Sequence, residues 1–167
     1  MTPHAAEDGA GLDVTGVPID VPDEAAQLAF GSKLAGALRG RAGIIYLQGD
    51  LGAGKTTLVR GLLRGLGHRG AVRSPTYTLI EPYDELTPRV YHLDLYRLGD
   101  PEELDYLGLR DLLTGDTLLL IEWPERGLGV LPTPDLELRI RYNPPGRRII
   151  IAATPAWGAV AEVLGAP

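Results

Sequence analysis

The sequence predicts an α/β fold in which three layers (α/β/α) enclose a mostly parallel central sheet with antiparallel hairpins. Two short apolar runs, residues 44–47 and 117–121, predict strands of this sheet, and the second is typical of a strand that is buried on both faces. Two longer segments, residues 24–38 and 56–66, repeat apolar residues at helical spacing. Alternating segments joined by turn residues predict the hairpins.

The chain has 167 residues, of which 44% are hydrophobic, so it is long enough for one compact domain with a single core. We assign that domain to residues 21–167. Residues 1–20 are rich in Gly, Asp and Ala, and this composition predicts a flexible N-terminal tail.

The first predicted helix covers residues 24–38. Asp23 is placed to cap its N-terminus, and Phe30 and Leu34 recur along one face. Gly40 follows the last apolar residue and is expected to end the helix.

The predicted strand at residues 44–48 leads into a glycine-rich loop, residues 49–56, with the sequence GDLGAGKT. This is a full match to the phosphate-binding pattern G-x-x-x-x-G-K-[ST] of P-loop nucleoside triphosphatases. Glycine lets backbone amides wrap a triphosphate, and the helix that follows adds the positive end of its dipole. The alternative is a turn that fits the pattern by chance. The order of strand, loop and helix favours nucleotide binding, and Gly67 ends that helix.

Two side chains of the glycine-rich loop have chemical roles in the predicted site. Lys55 is expected to reach the β- and γ-phosphates, and the Thr56 hydroxyl is expected to supply one oxygen ligand to Mg²⁺. Asp50, Leu51 and Ala53 fill the loop. Neither lysine of the chain lies in the N-K-x-D motif with which Ras-like GTPases read guanine, so ATP is the expected nucleotide.

The second half of the chain is predicted to alternate hairpins with a central strand. Asp100, Pro101 and Glu103 have the spacing of a helix start, with a cap, a Pro at the first position and a capping-box acid. The other elements are a hairpin of residues 77–83 and 89–96, the strand 117–121, a second hairpin of residues 136–142 and 147–153, and a closing helix over residues 155–164.

Glu122 directly follows the apolar strand 117–121, as does the acid of a Walker B strand. Ligands of open α/β sheets bind at the carboxyl ends of the strands, so Glu122 is expected to hold Mg²⁺ directly or through water. The alternative is a solvated acid at a strand end. Trp123 beside it either packs near the nucleotide or fills the core.

Asp94 is an acid inside a β-favouring segment, which indicates a functional role. As a general base or water-orienting group it would position the water that attacks the γ-phosphate. The alternative is a surface ion pair with Arg97 or Arg110. Thr76 lies in a segment like a switch loop, where a hydroxyl senses the γ-phosphate through Mg²⁺; the alternative is a Pro-Thr turn.

Two further polar features have less specific interpretations. His92 is interpreted as a hydrogen-bonded strand histidine rather than a catalyst. Arg139, Arg141, Arg147 and Arg148 form a basic hairpin, which is interpreted as a solvated face, a docking patch for an acidic partner or a nucleotide clamp.

Charge and composition argue against several classes of function. The formal net charge of −6 argues against a protein that holds nucleic acid by itself, so we expect any nucleic acid to be bound by a partner. The chain has no cysteine and three scattered histidines, which leaves Mg²⁺ as the only expected metal. It has no signal-peptide pattern and no apolar stretch of membrane-spanning length, which predicts a cytoplasmic protein.

Together these motifs resemble one family, the bacterial ATPase needed for threonylcarbamoyladenosine modification of tRNA (TsaE, also called YjeE). The resemblance covers residues 20–150. Its motifs are GDLGAGKTT (49–57), SPTYTLIE (74–81), HLDLYR (92–97), DPEEL and GLRD (100–104 and 108–111) and IEWP (121–124). This combination is far more specific than the glycine-rich loop alone.

The resemblance implies a small P-loop ATPase that does not itself transfer the threonylcarbamoyl group. Its implied partners are a TsaD-like and a TsaB-like protein, whose complex is restored by ATP binding and hydrolysis between rounds of modification. Asp94, Lys55, Glu122 and Thr76 match catalytic positions, with Mg²⁺ at Thr56 and Glu122. The implied ATP/ADP contacts are Gly49, Asp50, Leu51, Gly52, Ala53, Gly54, Lys55, Thr56, Thr57, Trp123, Glu24 at the start of the first helix, and Gly146 in the second hairpin turn.

Two other functions are compatible with the residues alone. One is a P-loop kinase that moves the γ-phosphoryl group to a small molecule, although no Arg-rich lid separate from the sheet is evident in the sequence. The other is a nucleotide-gated binding module with negligible turnover, which would act by ATP-dependent docking.

Overall fold

The computed structural model describes residues 12–75 and 77–167 as a mixed α/β domain. The strands are β1 (Asp13–Val21), β2 (Gly43–Gln48), β3 (Ile80–Tyr83), β4 (Arg89–Asp94), β5 (Thr117–Glu122), β6 (Leu136–Asn143) and β7 (Gly146–Ala153). The α-helices are α1 (Glu24–Leu38), α2 (Lys55–Gly65), α3 (Glu103–Tyr106), α4 (Leu109–Leu112) and α5 (Gly158–Gly165), with 3₁₀ turns at Pro124–Gly127 and Pro155–Trp157.

The strands form one seven-stranded sheet in the order β1-β7-β6-β2-β5-β4-β3. At its centre β6, β2, β5 and β4 are parallel, and antiparallel strands flank this parallel part on both sides. Every residue of β5 is buried, as predicted from its continuous apolar run. The parallel centre and both hairpins are therefore confirmed.

The core lies in two apolar clusters on opposite faces of this sheet. Leu118 and Leu120 of β5 belong to the cluster under α1, α2 and α5, whereas Leu119 and Ile121 pack with residues of α3 and α4. Side chains alternate between the faces because a strand has a period of two. The second helical layer is thin, since α3 and α4 are each one turn long.

The predicted flexible tail is wrong for residues 13–20, which form most of β1. This strand pairs antiparallel with β7 at the edge of the sheet, with a register shift between Thr15 and Ile19. Gly16 and Pro18 fall within that irregularity, where an edge strand tolerates residues that weaken a central one. Residues 1–11 lie outside the described part of the chain.

Helix α1 has the predicted bounds and the predicted cap, since the Asp23 carboxylate accepts from the Ala26 amide at 2.8 Å. At the start of α3, the Glu103 carboxylate accepts from the Asp100 amide, as in a capping box, and the Asp100 carboxylate accepts from the Glu102 amide. The helix there is only four residues long. Strand β3 is also shorter than predicted, because residues 77–79 form a turn before it. The predicted closing helix is divided into a 3₁₀ turn and α5.

Helices α1 and α2 approach each other so closely that their backbones meet. A Cβ atom at Gly31 would lie 2.2 Å from the Leu58 carbonyl oxygen, and one at Gly61 would lie 2.2 Å from the Leu28 carbonyl oxygen. Glycine at these two positions therefore sets the distance between the helices. Within the described residues, no helix combines the length and the apolar character needed to cross a membrane.

Candidate functional site

The parallel strands bring the predicted site residues to one edge of the sheet. The glycine-rich loop (residues 49–56) follows the end of β2, where Leu47 pairs with Glu122 of β5, and Glu122 in turn pairs with Asp94 of β4. The pocket beside them has a volume of about 410 Å³. Its lining is Leu51, Gly52, Gly54, Lys55, Thr56, Thr57, Ser74, Asp94, Tyr96, Arg97, Glu122 and Trp123.

The glycine-rich loop has the backbone that its sequence demands. Gly52 and Gly54 have φ values of 76° and 99°, in the left-handed region that other residues rarely adopt. Helix α2 begins immediately after, at Lys55. The loop therefore presents a helix N-terminus, with its partial positive charge, to the pocket.

Lys55 is folded back onto the loop that precedes it. Its ammonium donates to the carbonyl oxygens of Gly49 and Asp50, the latter at 3.0 Å, and lies 4.5 Å from the centroid of the Trp123 ring. Burial lowers the pKa of Lys55, and the negative charges of Glu122 and Asp94 act in the opposite direction. The ammonium is thus held at the pocket by two carbonyl groups of its own loop and by the Trp123 ring.

Glu122 is the centre of a buried hydrogen-bonded chain. The Thr56 hydroxyl lies 3.3 Å from both carboxylate oxygens of Glu122, and Oε2 is 2.6 Å from His92 Nε2. Glu122 is 2% exposed and His92 is 0% exposed, so the alternative of a solvated acid at the strand end is wrong. His92 is indeed a hydrogen-bonded strand histidine, but its partner is the acid of the site.

His92 holds the Glu122 carboxylate through one of its two ring nitrogens. Its second ring nitrogen, Nδ1, is buried and has no hydrogen-bond partner among the described residues. Among the described residues, the hydrogen bond to Glu122 is therefore the one polar contact of the His92 ring. The contacts with His92 and with the Thr56 hydroxyl together restrict the orientation of the Glu122 carboxylate.

Asp94 is 7% exposed and is held by two hydrogen bonds. Its carboxylate accepts from the Ser74 hydroxyl at 2.6 Å and from the Tyr96 amide at 3.1 Å. The alternative of a surface ion pair is wrong, because Arg110 is 3.6 Å from Asp105 and Arg97 stacks 4.8 Å from the centroid of the Tyr77 ring. Asp94 is therefore a fixed, inward-facing acid of the pocket.

Trp123 contributes to the core and also lines the pocket. It packs against the apolar cluster of the second face and lies 5.0 Å from the Tyr96 ring, while its own ring faces Lys55 in the pocket. Its φ of 56° places it in the left-handed region, directly after β5. This turn directs the chain away from the sheet at the point where the pocket opens.

The other predicted contact residues lie around the loop. Glu24 and Gly146 line an adjoining groove of about 400 Å³ that shares Gly52, Gly54 and Thr57 with the pocket. Gly49 and Asp50 face a groove on the opposite side of the loop, and Ala53 is buried. Thr76 lies outside the described residues.

Two residues of the site, Gln27 and Ser74, were not predicted from the sequence. Gln27 is buried, and its amide donates to the carbonyl oxygens of Ala53 at 3.2 Å and Gly54 at 2.8 Å. Ser74 bonds to Asp94 as described. Gln27 interrupts the apolar face of α1, and a buried polar position of this kind was the available signal.

The arginines of the second hairpin do not form one basic patch. Arg139 bonds to Glu137 at 2.8 Å, Arg148 bonds to Asp20 at 2.8 Å, and Arg147 turns onto the glycine-rich loop. The pKa of Asp20 is lowered by its hydrogen bond from Arg148. Three of the four side chains thus have different local partners.

Comparisons with known proteins agree on one family. The family model described as "Threonylcarbamoyl adenosine biosynthesis protein TsaE" matches residues 21–150. The chain is 50% identical over 142 residues to a protein of Haemophilus influenzae named tRNA threonylcarbamoyladenosine biosynthesis protein TsaE, covering 83% of this chain and 90% of that one. A protein of the same name from Bacillus subtilis is 38% identical over 120 residues, which are 72% of this chain and 73% of that one.

The fold agrees as well. The crystal structure of Bacillus subtilis YdiB matches with a TM-score of 0.74 and 28% sequence identity, covering 91% of this chain and 95% of that chain. The family match spans the glycine-rich loop, the pocket acids, the first hairpin and most of the second. This chain therefore belongs to the TsaE family.

Proposed function

We propose that this chain is a Mg²⁺-dependent ATPase with a P-loop NTPase-like fold, and that it serves the threonylcarbamoyladenosine modification of tRNA in the cytoplasm. It acts by binding and hydrolysing ATP on a complex of a TsaD-like and a TsaB-like protein. The observation that carries the proposal is the juxtaposition of the G-x-x-x-x-G-K-T loop with Glu122 and Asp94 in one pocket. The names of its relatives supply the pathway.

The glycine-rich loop would bind the triphosphate through its amides and the N-terminus of α2. Lys55 then leaves the carbonyl oxygens of its own loop and pairs with the β- and γ-phosphate oxygens, since anionic phosphate is a stronger partner than a neutral carbonyl. Trp123, which lies over the ammonium, would report this movement through its fluorescence.

The residues present fit a bound Mg²⁺. The Thr56 hydroxyl and the Glu122 carboxylate are adjacent oxygen ligands at the pocket, and Mg²⁺ typically takes few protein ligands beside water and phosphate oxygens. When bound, the ion would neutralise charge on the β- and γ-phosphates. His92 keeps the Glu122 carboxylate turned toward that position.

Asp94 would orient the attacking water and accept its proton. Its carboxylate faces the same pocket, and the bonds from Ser74 and Tyr96 restrict its orientation. A carboxylate with a fixed orientation would also fix the position of the water that it binds. In this reaction the water oxygen bonds to the γ-phosphorus, the bond to the β–γ bridging oxygen breaks, and ADP leaves.

The test is Mg²⁺-dependent ATP hydrolysis by the purified chain, alone and with the TsaD–TsaB pair. Hydrolysis is expected to rise with the pair, and Lys55→Ala is expected to reduce it by at least about 100-fold because a phosphate-binding charge is lost. The matched control is Lys33→Ala. Lys33 bonds to the Ala166 carbonyl at 2.6 Å and has no role in the proposed site. ADP formation only with an added small-molecule acceptor would instead indicate a kinase, and tight ATP binding without turnover a binding module.

Glu122→Gln is expected to raise the Mg²⁺ concentration for half-maximal hydrolysis by at least about tenfold, because the amide is a poorer ligand for the ion. The measurement is a Mg²⁺ titration of the hydrolysis rate at saturating ATP. Glu137→Gln is the control, since Glu137 is also a buried strand acid but pairs with Arg139 and does not line the pocket. Equal Mg²⁺ dependence in the two variants would contradict the assignment of Glu122.

A further inference from the structure

Side chains bond to the carbonyl groups of residues 49–54 of the glycine-rich loop. Lys55 bonds to the first two, as described above. The remaining bonds are Tyr142 Oη to Leu51 O at 3.2 Å, Arg147 Nη2 to Gly52 O at 3.1 Å, Arg147 Nε to Ala53 O at 3.2 Å, and Gln27 Nε2 to Ala53 O at 3.2 Å and Gly54 O at 2.8 Å.

This arrangement leaves backbone amides for the pocket. Within residues 12–75 and 77–167, the amides of Gly52, Gly54 and Lys55 donate to no protein acceptor. A peptide unit that turned over would replace such a donor by a carbonyl oxygen, which repels an anion. The side chains that bond to the loop carbonyls therefore decide whether the loop amides can bind an anion.

Among the donors that come from outside the loop, Arg147 is the charged one, and it belongs to the second hairpin. Its planar guanidinium bonds to the carbonyl oxygens of two consecutive loop residues, a geometry that the fork of an arginine can match. A third bond to the Gly146 carbonyl at 3.0 Å, and the Tyr142 ring 4.1 Å from its centre, hold it in this position.

The neighbouring residue provides a natural comparison. Arg148 lies next on β7, and because successive side chains of a strand point to opposite faces it bonds to Asp20 at 2.8 Å instead. Both arginines belong to the same hairpin, yet only Arg147 contacts the loop.

From these contacts we infer that Arg147 is a positioning residue that straps the glycine-rich loop in its anion-binding conformation. The inference rests on the proposed function, in that the anion is the triphosphate of ATP. Arg147 bonds to carbonyl groups of the loop, whereas the phosphates would be bound by the loop amides. It links the β6–β7 hairpin to the pocket across 94 residues of sequence.

The experiment compares Arg147→Gln with Arg148→Gln. Arg147→Gln is expected to raise the Kd of ATP by about tenfold or more, because two charge-assisted bonds to the loop are lost. It should also speed amide hydrogen exchange in residues 49–56 of the nucleotide-free protein, with exchange in the strands unchanged. Arg148→Gln should leave both quantities as in the unmodified chain.

Arg147→Lys is the conservative variant. A lysine keeps the charge but cannot bridge two carbonyl groups as a fork, so it is expected to restore only part of the affinity. At saturating ATP, Arg147→Gln should hydrolyse at close to the normal rate, because the strap sets affinity and not the chemical step. A merely structural role would lower the melting temperature without this separation of binding from turnover.

A Kd within about twofold of the unmodified chain, together with unchanged loop exchange, would overturn the inference, since a strap must change one of the two. Failure of the unmodified chain to bind ATP would overturn the proposed function, and the exchange comparison of the two arginine variants would still decide whether Arg147 straps the loop.

Discussion

Asp94→Asn is expected to keep ATP binding within about threefold of normal and to reduce hydrolysis by at least about 100-fold. An asparagine has the same shape and can still bond to Ser74 and to the Tyr96 amide, so the pocket should keep its geometry. It lacks the negative charge that attracts the water proton. Binding and hydrolysis should therefore separate in this variant more cleanly than in Lys55→Ala, which is expected to lose both.

The measurements are the Kd of ATP by calorimetry and the hydrolysis rate with the TsaD–TsaB pair. Glu125→Gln is the control, because Glu125 is an exposed acid close to the same edge of the sheet and does not line the pocket. If the Asp94→Asn variant hydrolyses ATP at the rate of this control, the proposed role of Asp94 is wrong.

Gly31→Ala is expected to destabilise the fold by about 3 kcal/mol, a large effect for the addition of one methyl group. The new Cβ would lie 2.2 Å from the Leu58 carbonyl oxygen, which is backbone and cannot rotate away. Helices α1 and α2 would have to separate, and Gln27 on α1 would move from the glycine-rich loop at the start of α2. The loss should appear in urea unfolding as a lower midpoint.

The control lies in the same helix. A Cβ at Gly36 would have no atom within 4 Å, so Gly36→Ala should stabilise the protein by up to about 1 kcal/mol through helix propensity. The stability changes of the two variants need not be equal in size. A Gly31→Ala variant as stable as Gly36→Ala would show that the two helices can separate without cost.

Local sequence patterns were sufficient for most elements of the fold. The bounds of α1, its cap at Asp23 and the buried strand β5 were predicted correctly because each depends on residues close in sequence: a side-chain cap reaches three residues, and burial on both faces produces an uninterrupted apolar run. The second hairpin was predicted for the same reason, since its strands are joined by a short turn. The family was identified because six motifs occur in order in one chain.

The candidate site was only partly predictable. Glu122 could be proposed because ligands of open α/β sheets bind at the carboxyl ends of the strands, and Asp94 because an acid inside a β-favouring segment is unusual. Their partners could not, since Ser74 and His92 lie 20 and 30 residues from the acids they contact. Such pairs depend on which strands are neighbours, and local propensity contains no information about this.

The sequence by itself determined the fold class, the glycine-rich loop, the pocket acids and the family. Only the tertiary structure decided that residues 13–20 form an edge strand, because their strand bonds exist only when the free edge of β7 is there to accept them. It also decided which arginine of the second hairpin reaches the loop, since Arg147 and Arg148 differ only in the face of β7 on which they lie. In both cases the deciding contact joins segments far apart in the chain, and it forms only after the sheet has assembled.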